Sequence, residues 1–145
     1  MKKLIIYPKK SGNTYKVCNY IHNNANVECK FVTDIKKSDL LHYDMIILSS
    51  GIYGGRVHNN ILTWINSIDK DTINTNTKIY LFLTWLGRGK SAKKGFDKVN
   101  RLLSEKGLHL EDNYMTCFGK SFIFIRRFHP NVEDFNNVME WVNKL

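Results

Sequence analysis

Leu4-Ile5-Ile6-Tyr7-Pro8-Lys9-Lys10-Ser11-Gly12-Asn13-Thr14 is the stretch that decides the architecture. Four apolar residues follow two lysines and are cut off by Pro8, which has no N–H to give a ladder, so the run reads as a short buried strand. From Asn13 to His22, Val17 and Ile21 stand four apart and Asn23-Asn24 closes the segment, the signature of a helix. A strand running directly into a helix is half of a parallel βαβ unit, and the alternation repeats outward. Asn26 to Val32 predicts a second strand. Asp44 to Ser50, nearly continuous in apolar residues, predicts a third of the kind parallel sheets bury on both faces. Lys36 to Tyr43, with Leu40 and Leu41, predicts a short helix between them.

Beyond the third strand, Asn59 or Asn60 can cap a helix carrying Ile61, Leu62, Ile65 and Ile68. Lys78 to Trp85 predicts the fourth strand. Ser91 opens a helix with Phe96, Val99 and Leu103 on one face and Gly107 placed as its C′ residue. Leu108 to about Cys117 predicts the fifth strand. Asn131 caps a last helix with Asp134 three residues on and an apolar stripe of Phe135, Val138, Met139 and Val142. Five strands alternating with helices imply an α/β fold: a five-stranded parallel sheet in the order 2-1-3-4-5, right-handed crossovers, and helices on both faces. The chain of 145 residues has room for one domain, 1–145, with no repeat or low-complexity linker.

Twenty-two Lys plus Arg against thirteen Asp plus Glu give a net charge of +9, so a positive field covers part of the surface and an anionic neighbour is expected. Cys18, Cys29 and Cys117 are odd in number and far apart, without metal-ligand spacing, and suit buried apolar positions in a reducing compartment. The apolar run after Met1 is too short for a signal peptide and no run reaches transmembrane length, which predicts a cytoplasmic protein. The five histidines are too scattered to suggest a metal site. Nucleic-acid binding is suggested only by charge, since no helix-turn-helix, zinc or RNP-type motif appears, and is not expected.

In open parallel sheets, ligands bind outside the carboxyl ends of the strands, so function is expected after Tyr7, Ser49, Thr84 and Cys117. The first of these segments suits an oxyanion. Gly12 admits close backbone approach, Ser11 and Thr14 offer hydroxyls, Asn13 offers an amide, and the free N–H groups of the first helical turn point the same way. The bland reading is an ordinary turn in which Ser11 or Asn13 merely caps the helix.

Ser11-Gly12-Asn13-Thr14 after a Leu-Ile-Ile-Tyr strand resembles the Thr-Gly-Asn-Thr phosphate loop of flavodoxins. Ser50-Gly51-Ile52-Tyr53-Gly54-Gly55 looks like their second flavin loop, and His129-Pro130-Asn131 with Glu133-Asp134 looks like the start of their last helix. The resemblance implies a flavodoxin-like three-layer sandwich that binds flavin mononucleotide (FMN) non-covalently and carries electrons. The cofactor-binding residues it implies are Lys9, Lys10, Ser11, Gly12, Asn13 and Thr14 at the phosphate. Around the ring they are Ser50, Gly51, Ile52, Tyr53, Gly54, Gly55, Thr84, Trp85, Leu86 and Gly87. Lys9 stands where flavodoxins usually offer a hydroxyl and can bind phosphate as a point charge. A receiver domain shares the fold but needs clustered carboxylates after the first strand, where this chain has lysines.

A flavin slot needs flat apolar walls and backbone groups at the ring edge, because the cofactor carries the chemistry and the protein tunes it. Tyr53 and Trp85 are the candidate walls, Thr84 a candidate for a ring heteroatom; the bland alternatives are that Tyr53 packs on a helix and Trp85 belongs to the core. Arg56, Arg88, Lys90, Lys93 and Lys94 gather with Lys9 and Lys10 at the same sheet edge, whereas carrier flavodoxins, by the resemblance, are acidic there. The cations should make the flavin's second potential less negative and dock a redox protein with an acidic surface. Phe122-Ile123-Phe124-Ile125 before Arg126, Arg127 and Phe128 reads as a continuation of the fifth strand, or else as an exposed docking surface capable of weak membrane association.

Electron carriage needs no catalytic side chain. The Ser-Gly-Ile-Tyr-Gly loop and basic charge also resemble quinone-dependent protoporphyrinogen oxidases, an FMN-dependent enzyme reading. Those carry a long basic insertion near the final loop, and the span from Cys117 to Asn131 leaves little room for one.

Overall fold

The computed structural model describes residues 1–121 and 124–145. Its strands are β1 (Lys3–Tyr7), β2 (Glu28–Phe31), β3 (Met45–Tyr53), β4 (Arg56–Val57), β5 (Lys78–Trp85) and β6 (Met115–Phe118), and its helices are α1 (Gly12–Asn24), α2 (Asn59–Ser67), α3 (Ser91–Glu105) and α4 (Val132–Lys144). The parallel sheet runs β2-β1-β3-β5-β6, which is the expected 2-1-3-4-5 order once β5 and β6 are counted as the fourth and fifth strands.

Strand periodicity sorts the core into two layers. Leu4, Ile6, Ile46, Leu48, Ile79, Leu81 and Leu83 pack on one face against Ile61 and Ile65 of α2 and Val99 and Leu103 of α3. Ile5, Met45, Ile47, Tyr80 and Phe82 pack on the other against Val17, Cys18 and Ile21 of α1 and Val138 and Val142 of α4. Adjacent residues of β1, β3 and β5 thus serve opposite layers, which is why these strands read as unbroken apolar runs.

Several expectations are corrected. β3 continues past Ser50 to Tyr53 and turns back antiparallel through Gly54-Gly55 to β4, pairing Ile52 with Val57 and Tyr53 with Arg56. Both turn glycines have positive φ, the conformation a tight hairpin requires and a side chain resists. The cap of α2 is neither Asn59 nor Asn60: the ring Nδ1 of His58 accepts from the Asn60 N–H at 3.1 Å. The fifth strand is shorter than expected. Leu110 touches β5 through a single bridge to Ile79, the turn-forming residues Glu111-Asp112-Asn113 interrupt, and pairing resumes at Met115. The segment 37–42 is a 3-10 helix. Phe122 and Ile123 lie outside the described residues, and β6 ends at Phe118. Ile125 pairs antiparallel with Ser121, and Phe124 and Phe128 are exposed in turns rather than aligned in a continuing strand.

Two helix ends match their sequence signals. Asn131 and Asp134 form a reciprocal capping box at α4, with Asn131 Oδ1 accepting from Asp134 N at 3.0 Å and Asp134 Oδ2 accepting from Asn131 N at 2.8 Å. Gly107, with φ +72°, ends α3 by donating to Ser104 O, while the Leu108 N–H reaches Leu103 O. No helix among the described residues is long and apolar enough to cross a membrane.

Candidate functional site

The carboxyl ends of β1, β3, β5 and β6 meet at one edge, and the loops leaving them enclose a cleft of about 380 Å³. It is lined by Asn13 of the first loop, Gly51 to Gly54 of the second, Thr84 to Leu86 at the end of β5, and Gly119 to Ser121 after β6. The last group was missing from the residues singled out in the sequence. Its signal was positional, because it follows the fifth strand at the edge where parallel sheets place ligands.

At one end of the cleft stands the start of α1. Ser11 is extended and its side chain makes no cap bond, and no acidic residue occupies the first turn, so the leading N–H groups and the positive end of the helix dipole are left for an anion. Gly12 has φ +85°. Lys9 lies across this loop: its Cε is 3.4 Å from where a Gly12 Cβ would stand, and its Nζ lies over the Tyr53 ring, 5.4 Å from the centroid. That charge, second to burial, holds the His58 imidazole below its usual range. Lys10 turns away, pairing with Asp34 at 3.2 Å and lying over Phe31.

Interior hydroxyls brace the loops. Thr14 and Thr84 are buried and hydrogen-bonded to each other at 2.8 Å, tying α1 to the end of β5. Ser50 is fully buried, with its hydroxyl donating to Gly51 O and accepting from His58 N, which fixes the root of the β3–β4 hairpin. Asn60 Nδ2 donates to Pro8 O at 2.8 Å and joins α2 to the first loop. Asn13 Nδ2 donates to Lys120 O at 2.8 Å and joins that loop to the last one. The side chains of Thr14, Thr84 and Ser50 are therefore occupied within the protein, Lys10 with Asp34 and the Asn13 amide with Lys120 O, while Lys9 and Gly12 stay at the mouth.

The other end of the cleft is flat and apolar. Tyr53 is half-exposed, folds over Gly51 and meets His58 edge-on. Trp85 and Leu86 form the opposite wall, with Trp85 also touching the core. A Cβ on Gly51 would lie 2.8 Å from Tyr53, one on Gly87 2.7 Å from Phe118, and one on Gly119 2.6 Å from Asn13. At these three glycines the space a side chain would take is filled by Tyr53, Phe118 and Asn13, so the absent Cβ lets the loops around the cleft pack closely on one another. Arg126 pins this arrangement from outside, its guanidinium stacked 3.8 Å from the Phe118 ring centroid and its Nε donating to Leu86 O. An anion-receptive helix start joined to an apolar slot fits the phosphate and the fused ring of a flavin nucleotide.

Comparison with known proteins gives the same direction. A family model described as a flavodoxin domain matches residues 4–137. An uncharacterized protein of Methanocaldococcus jannaschii is 27% identical over 157 aligned positions, covering 100% of this chain and 98% of that one. Among solved structures, flavodoxin 1 of Bacillus cereus superposes with a TM-score of 0.68 at 21% identity, covering 100% of this chain and 99% of its own. A flavodoxin from the domain Archaea gives 0.67 at 17% identity, covering 97% and 92%.

Proposed function

Because the chain belongs to the flavodoxin domain family, we propose that it binds FMN non-covalently in this cleft and passes electrons between redox partners. The observation that carries the reading is the continuity of the uncapped start of α1 with the Tyr53–Trp85–Leu86 slot. Lys9, Ser11, Gly12 and Asn13, with the first N–H groups of α1, hold the phosphate. Gly51 to Gly55 and Trp85 to Gly87 hold the ring. Thr14, Ser50 and Thr84 act by position, keeping the loops in register through their buried bonds. Bound flavin supplies one- and two-electron transfer, and the chain supplies orientation and an electrostatic setting.

The test is the visible spectrum after incubation with excess FMN and gel filtration. A retained two-band flavin spectrum at about one flavin per chain is expected. Gly12→Val should weaken FMN binding about tenfold, because a β-branched residue at φ +85° costs about 1–2 kcal/mol of strain. No retention at low salt would overturn the reading.

The electrostatic setting is basic. Lys9, Arg56, Arg88, Lys90 and Lys94 lie around the cleft mouth and favour an acidic docking surface on the partner, by steering more than by tight burial. They also stabilise the added electron density of reduced flavin. At separations on the order of 10 Å and an effective dielectric between about 40 and 80, one cation contributes about 0.4–0.8 kcal/mol, or roughly 20–35 mV for one electron. The variant with Arg56, Arg88, Lys90 and Lys94 all changed to Gln is expected to shift the low-potential couple several tens of millivolts more negative. Spectroelectrochemical titration reads this, and the shift should shrink at high salt.

A further inference from the structure

Gly54 is shared by two clefts. One is the flavin slot; the other, of about 630 Å³, is lined by Gly54, Gly55, Arg56, Arg88, Lys90, Ser91 and Lys94. Four of the seven residues are cations, and none is a carboxylate. Among the described residues, none of these four cations has an ion-pair partner, whereas the neighbouring Lys93 is paired with Asp97 and Arg101 with Glu105.

Acidic residues are segregated along the whole chain. All thirteen lie within 28–44, 69–71, 97–112 and 133–140, so the segments 1–27, 45–68, 72–96 and 113–132, which carry the loops after β1, β3, β5 and β6, contain none, and Asp34 after β2 is taken by Lys10. The start of α3 adds to the imbalance. It has no side-chain cap and no acid in its first turn, which instead holds Ser91, Lys93 and Lys94 beside the positive end of the helix. Like charges collected on a concave surface next to that dipole repel one another, and an anion relieves the repulsion. FMN's own phosphate does not answer this, because the loop suited to it lies at the other end of the slot, at Lys9 and Gly12.

We propose that the Arg56–Arg88–Lys90–Lys94 cleft is a second oxyanion site, which takes the phosphate or carboxylate end of a small-molecule ligand whose remainder reaches the ring end of the flavin slot. The anion site stands on the cation cluster alone; its use by a redox substrate rests on the flavin reading above. Arg88 stands in the β5–α3 connection and Lys94 in the first turn of α3, so loop and helix each bring a cation to the same cleft, and the positive-φ Gly87 and Gly89 shape the loop that carries Arg88.

The test is calorimetric titration of FMN-loaded protein with sodium pyrophosphate and, separately, citrate at low ionic strength. One saturable site is expected for at least one of them: pyrophosphate alone identifies a phosphate ligand, citrate alone a carboxylate ligand, and both a general oxyanion site. The double variant Arg88→Gln, Lys94→Gln should weaken binding at least tenfold, while the charge-matched Lys36→Gln, Lys98→Gln, placed elsewhere on the surface, should change it less than twofold. Equal weakening by the two pairs would show a diffuse field and overturn the proposal, as would the absence of saturable heat with both probes. If FMN fails to load, the same three-protein comparison on the flavin-free chain still reports on this cleft, so the two readings fail separately.

Discussion

Iodoacetamide at pH 8 is expected to leave the native thiols almost untouched, with Cys18 reacting about a thousandfold more slowly than in urea-unfolded protein. Cys18 is fully buried against the sheet, with only Ser49 Oγ at 3.5 Å, and burial pushes its thiol up to about 12. Cys117, buried at the β5–β6 pair, is likewise raised to about 12 by burial first and the Asp134 charge second. Burial raises Cys29 as well. The thiolate is the reacting species, so moving a pKa from 9 to about 12 lowers its fraction at pH 8 roughly a thousandfold. Mass spectrometry of timed quenches reads the rate at each cysteine, and all three should label fully in urea. Rapid native labelling of Cys18 or Cys117 would reopen a thiol role in electron transfer, which the present reading assigns to the flavin alone.

The fold was legible where a single periodicity governs a segment. Leu4 to Tyr7, Met45 to Leu48 and Ile79 to Leu83 feed both core layers, so their apolar runs have one interpretation and fix the strand order through the βα alternation. The β3–β4 hairpin was not legible, because Ser50 to Gly55 reads as a polar, glycine-rich loop. The positive-φ Gly54-Gly55 pair makes the turn, and the Ser50 hydroxyl bonded to His58 N, a contact between residues eight apart, holds the root of the hairpin. The phosphate loop was readable as a site, yet the direction of each side chain in it was not. Lys10 is drawn to Asp34 and Phe31, Thr14 to Thr84, and Asn60 to Pro8, and all three choices depend on partners brought in by tertiary packing. The part played by Gly119 was hidden for the same reason: only the approach of Asn13 makes a side chain there impossible.

Gly95 carries a steric constraint on the site's support. It lies in the middle of α3, where glycine costs about 1 kcal/mol relative to alanine, so its presence calls for a packing reason. A Cβ there would stand 2.6 Å from Ile52 Cδ1 and 3.3 Å from Val57 Cγ2, on the two strands of the hairpin that carries Gly54 and Gly55. Gly95→Val is therefore expected to destabilise the protein by about 3 kcal/mol, near the upper range for overpacking, and to lower Tm by about 10 °C. Gly95→Ala should cost about 1–2 kcal/mol, the collision outweighing the gain in helix propensity. Ile52→Val removes the colliding Cδ1 itself, so the double variant Gly95→Ala, Ile52→Val should recover at least 1 kcal/mol over the sum of the two single effects in urea denaturation. Strict additivity would show that α3 does not seat on the hairpin through this contact. The same series reports on the site, because a hairpin pushed outward by α3 moves Gly51 to Gly55 away from the slot. FMN retention should fall in Gly95→Val and return in the Ala–Val pair, linking the depth of one helix to the width of the cleft.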